Sequence, residues 1–323
     1  MIRLIKRVLK RPARGGRPRI RAMVTETTAD AGSHLQVYEV APEETDPDID
    51  NWTDAHLVAI DPGARPRDKL FLFFSGSFGI PARQSLITRL AARMGYHAVN
   101  LCYPNAWTVG GLCRGSEDPD CHGQVRLQIF DGISRTRLVR FAPANSIANR
   151  LLKLLIHLDA LFPYQGWSRY LSGDEVDWSS VAVAGHSQGG GQAAVIGKLR
   201  AVDRVIMLAS PADHGRGGLG PASWLTWPGA TPPDRYFGFV HRNDQGFEQI
   251  QIAWKALGMV TGGPLVSVEN SSPPYSGSQR LVTDIGDVSP SKYHGCLVQD
   301  RITPMYTDRR PVFEPVWRYL LGG

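Results

Sequence analysis

The chain has 323 residues, 42% of them hydrophobic, which is enough for one large α/β domain or two small ones. No apolar run approaches the length needed to cross a bilayer, so the sequence does not predict an integral membrane protein. The formal net charge is +6, but nine of the 36 Lys and Arg residues lie within residues 1–21, where there is no acid, and the remainder has 27 basic residues against 30 acidic ones. This distribution provides no basic face for nucleic acid.

Residues 1–33 are predicted to be a basic, flexible N-terminal tail, in which residues 22–33 are polar and turn-like. If residues 2–11 of the tail formed a helix, their apolar and basic side chains would lie on opposite sides. The apolar residues are Ile2, Leu4, Ile5, Val8 and Leu9, and the basic ones are Arg3, Lys6, Arg7, Lys10 and Arg11. Such a helix would give peripheral contact with an anionic membrane or a partner, although Pro12 and Gly15 would end it early. Charges interrupt every apolar run, so the tail does not look like a secretory signal, and we expect a cytoplasmic protein.

After the tail, strands and helices alternate along one predicted domain, residues 34–323. The predicted strands are His34–Val40, His56–Ile60, Lys69–Phe74, His97–Tyr103, Val181–Ala184, Arg204–Ser210, Tyr236–His241 and Gln279–Ile285. The predicted helices are Gln84–Met94, Asn145–Phe162, Gly191–Arg200, Phe247–Leu257 and Val312–Leu321. This alternation predicts an α/β fold: a mostly parallel, doubly wound sheet of about eight strands with helices on both faces.

Two stretches interrupt the alternation. Residues 104–144 form a long, irregular insertion, and residues 211–235 are rich in Gly and Pro and are predicted to form a flap. Within the insertion, Cys113 and Cys121 flank a polar loop, and they are equally compatible with a disulfide and with two free thiols. No second Cys/His pair accompanies them, so no zinc site is expected, and neither is any other cofactor.

One motif in this pattern carries chemistry. The apolar strand Val181–Ala184 runs into Gly185-His186-Ser187-Gln188-Gly189, a Gly-x-Ser-x-Gly sequence, and a helix follows. A serine on such a turn is held clear of the sheet edge, and the helix N-terminus behind it favours negative charge. The arrangement resembles the nucleophile elbow of the α/β-hydrolase family, which would make Ser187 a catalytic nucleophile.

The resemblance implies a catalytic triad in the chain order Ser, Asp or Glu, His. Three histidines follow Ser187: His214, His241 and His294. Only His294 lies in a loop after the last predicted strand, where the family places its base. Asp244, just past the seventh strand, is the expected acid, and Asp213, after the preceding strand, is the alternative that the family also uses.

The glycine-rich turn after the third strand, residues 75–81, is where the family places half of its oxyanion hole. We expect the Ser77 N–H to be one donor, with that of Phe78 as the alternative, and the Gln188 N–H to be the other. Phe78, Trp224 and Trp227 are the expected substrate-binding residues. The two tryptophans are equally compatible with lining an acyl or aromatic pocket and with packing the flap onto the body.

These residues together predict a serine hydrolase that cleaves carboxylic esters through an acyl-enzyme, without a metal or organic cofactor. The expected partner is a small-molecule, lipid or polyester ester, and ester is expected because it is common in the family. An amidase or thioesterase with the same triad is the alternative within enzymes. A binding protein that has kept the fold without catalysis is the alternative outside them.

Overall fold

The computed structural model describes residues 22–27, 34–286 and 288–323. The predicted basic segment at residues 1–21 and the stretch at residues 28–33 lie outside the described residues. Within the described ranges, no helix is both long enough and apolar enough to span a membrane.

Ten strands of the described residues form one mixed sheet, and two more form a small hairpin. In chain order the strands are β1 (Ala22–Thr27), β2 (His34–Val40), β3 (His56–Ile60), β4 (Leu70–Phe74), β5 (His97–Leu101), the hairpin pair β6 (Leu171–Ser172) and β7 (Glu175–Val176), β8 (Val181–His186), β9 (Arg204–Leu208), β10 (Tyr236–His241), β11 (Leu265–Ser267) and β12 (Arg280–Thr283). Across the sheet the order is β1-β2-β3-β5-β4-β8-β9-β10-β12-β11. In this sheet the pairs β1–β2, β2–β3 and β3–β5 are antiparallel, and all the other pairs are parallel.

Helices cover both faces of this sheet. They are α1 (Pro42–Thr45), α2 (Ser85–Arg93), α3 (Val109–Leu112), α4 (Cys121–Asp131), α5 (Ile147–Leu161), α6 (Gln188–Leu199), α7 (Phe247–Ala256) and α8 (Glu314–Leu320). Along β4, the alternate side chains of Leu70, Leu72 and Phe74 join a core with α4 to α7, whereas those between them face α2 and α8. The chain therefore has the α/β-hydrolase fold, as its sequence predicted.

The described residues also correct two expectations about the sheet. The sheet has ten strands, not about eight, because β1 and the three-residue β11 extend its edges. The expectation that residues 22–33 are turn-like is wrong for β1, which pairs antiparallel with residues 34–39 of β2. Such short edge strands are defined by pairing with a neighbour, which a local sequence pattern does not reveal.

The insertion at residues 104–144 is more regular than predicted, because it contains the eleven-residue helix α4. The disulfide between Cys113 and Cys121 joins the end of α3 to the start of α4. Most of α4 is buried, including Arg126 and Gln128, so its apolar residues do not follow the spacing of an amphipathic helix. This is why the sequence pattern did not show it.

Candidate active site

Ser187 lies in the strained turn that its sequence motif predicted. It follows the fully buried strand β8 and precedes α6, with φ 54° and ψ −121°. A Cβ at Gly185 would lie 2.3 Å from the Gly189 carbonyl carbon, and one at Gly189 would lie 2.2 Å from the Phe74 oxygen. Gly185 is therefore required for the close approach within the turn, and Gly189 for its packing against the end of β4. The half-buried Ser187 is held at the N-terminus of α6 in a backbone conformation that non-glycine residues rarely adopt.

Asp244 and His294 are brought together by the loops after β10 and β12. His294 Nδ1 lies 2.7 Å from Asp244 Oδ2, and the Gly246 N–H donates to Asp244 Oδ1 over 2.7 Å. The Asp244 side chain is 2% exposed, whereas that of His294 is 46% exposed. Burial alone would raise the pKa of the Asp244 carboxyl, but the hydrogen bond and charge of His294, with the Gly246 N–H, outweigh burial and lower it. Asp244 is thus an ionised partner for an accessible imidazole.

His186, immediately before the serine, holds the His294 loop beside the elbow. Its Nε2 lies 2.8 Å from the His294 carbonyl oxygen, and its Nδ1 lies 3.2 Å from Gln84 Nε2. Burial, with His294 nearby, lowers the pKa of His186 to about 3, so the ring is neutral. A neutral ring that donates from Nε2 and accepts at Nδ1 satisfies both contacts. The ring centroids of His186 and His294 lie 5.0 Å apart, which places His294 next to the elbow.

A second contact fixes the same loop further along. The Asp300 carboxylate accepts from the backbone N–H and the hydroxyl of Ser85, at 3.0 and 2.7 Å, and so caps the start of α2.

Ser187 and His294 do not hydrogen-bond to each other in this conformation. Catalytic hydrogen bonds are often long or poorly aligned before substrate binds, so the lack of this bond does not rule out a serine and its base.

The other acid and histidines considered from the sequence have different partners. Asp213, the alternative acid, receives Arg126 Nε and Nη2 at 2.5 and 2.6 Å and the Trp224 indole N–H at 2.9 Å. Burial would raise the pKa of Asp213, but the charge and hydrogen bonds of Arg126 outweigh burial and lower it. His241 is buried between the Asn243 N–H and the Ile285 carbonyl. Asp213 is therefore the partner of a buried arginine.

The two expected oxyanion donors meet at the elbow. The Ser77 hydroxyl donates to Gln188 Oε1 over 3.0 Å, which joins the turn after β4 to the first residue of α6. Neither the Ser77 N–H nor the Gln188 N–H has an acceptor among the described residues. The Phe78 N–H, the alternative donor, is instead used by the Asn105 carbonyl at 2.8 Å. The Phe78 N–H is therefore occupied in this conformation, whereas those of Ser77 and Gln188 have no acceptor among the described residues.

Of the expected substrate-binding residues, only Phe78 is well exposed, at 64%. Trp224 is fully buried, donates to Asp213, and packs over the Arg126 guanidinium with 5.6 Å between guanidinium carbon and ring centroid. The Trp227 ring closes against Gly123 of α4, where an added Cβ would lie 3.1 Å from it. In this conformation both tryptophans pack the flap against helix α4 of the insertion, whereas the sequence left open an acyl pocket or packing onto the body.

Sequence reasoning did not find the contacts of Gln84, Asn105 and Arg126 near the site. Each is a polar residue whose partners lie far along the chain or in another loop, and no spacing in the sequence signals such a contact. Cys102 and Cys296 are buried, and burial raises the pKa of each thiol to about 12, so neither is a competing nucleophile.

The sheet topology and the strand–serine–helix turn are those of the α/β-hydrolase fold. No family model and no curated protein sequence matches the chain. Among solved structures, esterase B from Lactobacillus rhamnosis, in a tributyrin phosphonate complex, has a TM-score of 0.46 and 13% identity, covering 91% of this chain and 88% of that one. A bacterial heroin esterase has a TM-score of 0.38 and 15% identity, covering 79% of this chain and 77% of that one. Similarity at this level carries no information about function.

Proposed function

We propose that the protein is a serine hydrolase that cleaves carboxylic esters, with Ser187 as nucleophile, His294 as base and Asp244 as its orienting acid. The observation that carries this proposal is the pair formed by the buried Asp244 and the accessible His294, which is fixed through His186 beside a strained serine at a helix N-terminus. These are the parts that nucleophilic catalysis by a serine requires, namely a nucleophile, an adjacent base and a group that orients the base.

The first half-reaction would proceed as follows. Ser187 Oγ attacks the ester carbonyl carbon, and its proton passes to His294 Nε2. The Asp244 carboxylate holds the His294 Nδ1–H and stabilises the imidazolium that forms. The free N–H groups of Ser77 and Gln188 donate to the oxygen that becomes negative. The bond from carbonyl carbon to alcohol oxygen then breaks, and the alcohol leaves with the proton from His294.

The second half-reaction reverses the roles. Water attacks the acyl-enzyme while His294 takes one of its protons, and the same two N–H groups stabilise the second oxyanion. The bond to Ser187 Oγ breaks, Oγ recovers a proton from His294, and the carboxylic acid is released. Every step uses groups of this chain and water, so the proposal needs no cofactor.

The first test is hydrolysis of p-nitrophenyl esters with acyl chains from C2 to C16, by the wild type and by Ser187→Ala. We expect the wild type to be active and the variant to lose at least about 10³-fold in kcat, because removing a triad serine leaves only the residual effect of binding and the oxyanion hole. Ser168→Ala, at an exposed serine away from the elbow, is the matched control and should keep full activity. The preferred chain length would distinguish small from lipid-like esters.

A fluorophosphonate probe provides an independent measurement. Mass spectrometry should find the label on Ser187 in the wild type and no label on the Ser187→Ala variant. Labelling without ester hydrolysis would favour the amidase or thioesterase alternative, which uses the same triad, and turnover of anilides and acyl thioesters would then be measured. Absence of labelling and of turnover on all three substrate classes would reject catalysis and leave the non-catalytic binding protein.

A further inference from the structure

The proposed oxyanion donor Ser77 lies in a four-residue turn, residues 76–79, that touches the nucleophile elbow. The Gly79 N–H donates to the Gly76 carbonyl over 3.0 Å, and Phe78, at the third position, has φ 58°, as a type II turn requires. A Cβ at Gly76 would lie 3.2 Å from Ser187 Cβ. The turn is therefore in contact with the proposed nucleophile.

One buried residue outside this turn holds it at three points. Asn105, 6% exposed, lies a few residues beyond the end of β5. Its side-chain Nδ2 donates to the carbonyls of Gly76 and Gly79, at 2.9 and 2.8 Å, and its own carbonyl accepts the Phe78 N–H. Both hydrogens of the amide are thus used on the turn, and a single side chain spans it from first to last residue.

These contacts fix the direction of the Ser77 N–H. In a planar trans peptide, the carbonyl of one residue and the N–H of the next point in opposite directions. Asn105 and the Gly79 N–H hold the Gly76 carbonyl on one side, so the Ser77 N–H must point to the other side, where it has no acceptor among the described residues. The Ser77 hydroxyl bond to Gln188 ties the turn to the elbow.

We propose that Asn105 is a positioning residue that aims the Ser77 N–H at the developing oxyanion. The inference rests on the proposed function, because it assigns Asn105 to the oxyanion hole of that reaction. Asn105 itself touches no reacting atom and acts only through the peptide between Gly76 and Ser77. Without its amide, that carbonyl keeps only the Gly79 N–H, and the peptide is free to rotate away from the direction that catalysis needs.

The test compares Asn105→Asp and Asn105→Ala with the wild type on one p-nitrophenyl ester. Asp has nearly the same shape but, as a carboxylate, donates no hydrogen bond, so it removes both contacts. We expect kcat to fall about 10- to 100-fold, less than the 10²–10³-fold cost of deleting an oxyanion donor, while KM changes less than twofold. Affinity for a trifluoromethyl ketone, which forms a stable oxyanion, should weaken in proportion to kcat/KM.

Asn149→Ala is the matched control. The Asn149 amide also makes two hydrogen bonds, to the Ala144 carbonyl and to Asp46, away from the elbow. We expect it to lower thermal stability by a similar amount without changing kcat or the inhibitor affinity. If Asn105→Ala and Asn149→Ala lose kcat equally, Asn105 has a structural role only and the inference is overturned.

A double-mutant cycle tests whether Asn105 acts through Ser77. Ser77→Pro removes the N–H at a turn position where proline is well tolerated. Asn105→Ala should then cost little further activity, because the group that it aims is gone. Additive losses, or wild-type kcat in Asn105→Asp, would overturn the inference while leaving the proposed function intact. A wild type that neither turns over substrate nor reacts with the fluorophosphonate would reject both.

Discussion

At the scale of single residues, two aspartates at neighbouring strand ends have different partners. Asp244 lies against His294, whereas Asp213 receives a two-point contact from Arg126. In the sequence both are acids just past a strand, and the family uses either position. Its position after the seventh strand favoured Asp244, but only the structure shows that Asp213 is paired with Arg126, because that arginine lies 87 residues earlier in an insertion.

Replacing each aspartate separates the two roles. We expect Asp244→Asn to lower kcat about 10⁴-fold, because an amide no longer stabilises the imidazolium and favours the wrong tautomer of His294. Asp213→Asn should keep kcat, per folded molecule, within the same order of magnitude as the wild type. The measurement is kcat on a p-nitrophenyl ester, normalised by burst titration. A larger loss in Asp213→Asn than in Asp244→Asn would show that the acid has been assigned wrongly.

At the scale of elements, the sequence predicted the strands and helices whose buried residues follow a simple apolar pattern. The strands β3 and β10 have the predicted bounds, because continuous apolar runs between turns have few other solutions. Helix α4 was missed because Arg126 and Gln128 occupy buried positions that a pattern reserves for apolar residues. Likewise, the sequence alone gives the chain order of Ser187, Asp244 and His294. The contacts of His186 and Asn105 could not be predicted, because they depend on how loops from separate strands pack together.

The disulfide between α3 and α4 should stabilise the insertion. Closing a loop of this length, eight residues apart in sequence, contributes about 2–3 kcal/mol by restricting the unfolded chain. We therefore expect reduction, or Cys113→Ser with Cys121→Ser, to lower the free energy of unfolding in urea by that amount. Such a bridge is uncommon in a reducing compartment, so it counts against the expected cytoplasmic location.

Thiol counting checks the same element. The native protein should react with iodoacetamide at neither Cys102 nor Cys296, because both are buried with a raised pKa. After unfolding without reductant, these two alone should be labelled. Four reactive thiols under those conditions would contradict the bridge.

At the scale of the whole molecule, the Arg126–Asp213 pair joins three separate parts. Arg126 lies in the insertion, Asp213 begins the flap, and Arg126 Nη1 also donates to the Gln188 carbonyl of the elbow over 3.1 Å. Both side chains are almost fully buried. Removal of one partner would leave the other as an unpaired buried charge, which is far more costly than losing a surface ion pair.

This pair predicts a pH-dependent stability. We expect Asp213→Asn to lower the free energy of unfolding by about 3–5 kcal/mol at pH 7. Because the pKa of Asp213 is lowered in the folded state, its contribution is complete above the unfolded value of about 3.9 and is lost as pH falls further. Urea titrations at pH 7, 5 and 3 should therefore show the difference between wild type and variant shrinking only at the lowest pH. A difference independent of pH would contradict this assignment.

The loop that carries His294 connects β12 to α8, and Pro290–Lys292 forms a short 3₁₀ turn within it. Its described contacts with the rest of the site include the His186 bond and the Asp300 cap of α2. Just past His294, residues Cys296, Leu297 and Val298 are fully buried in the core beside α2 and α8, and the Trp317 indole N–H donates to the Leu297 carbonyl. The loop therefore cannot leave the site without opening that core, so its local stability is close to that of the whole domain. On heating or in denaturant, the proposed activity should be lost together with the fold and not before it.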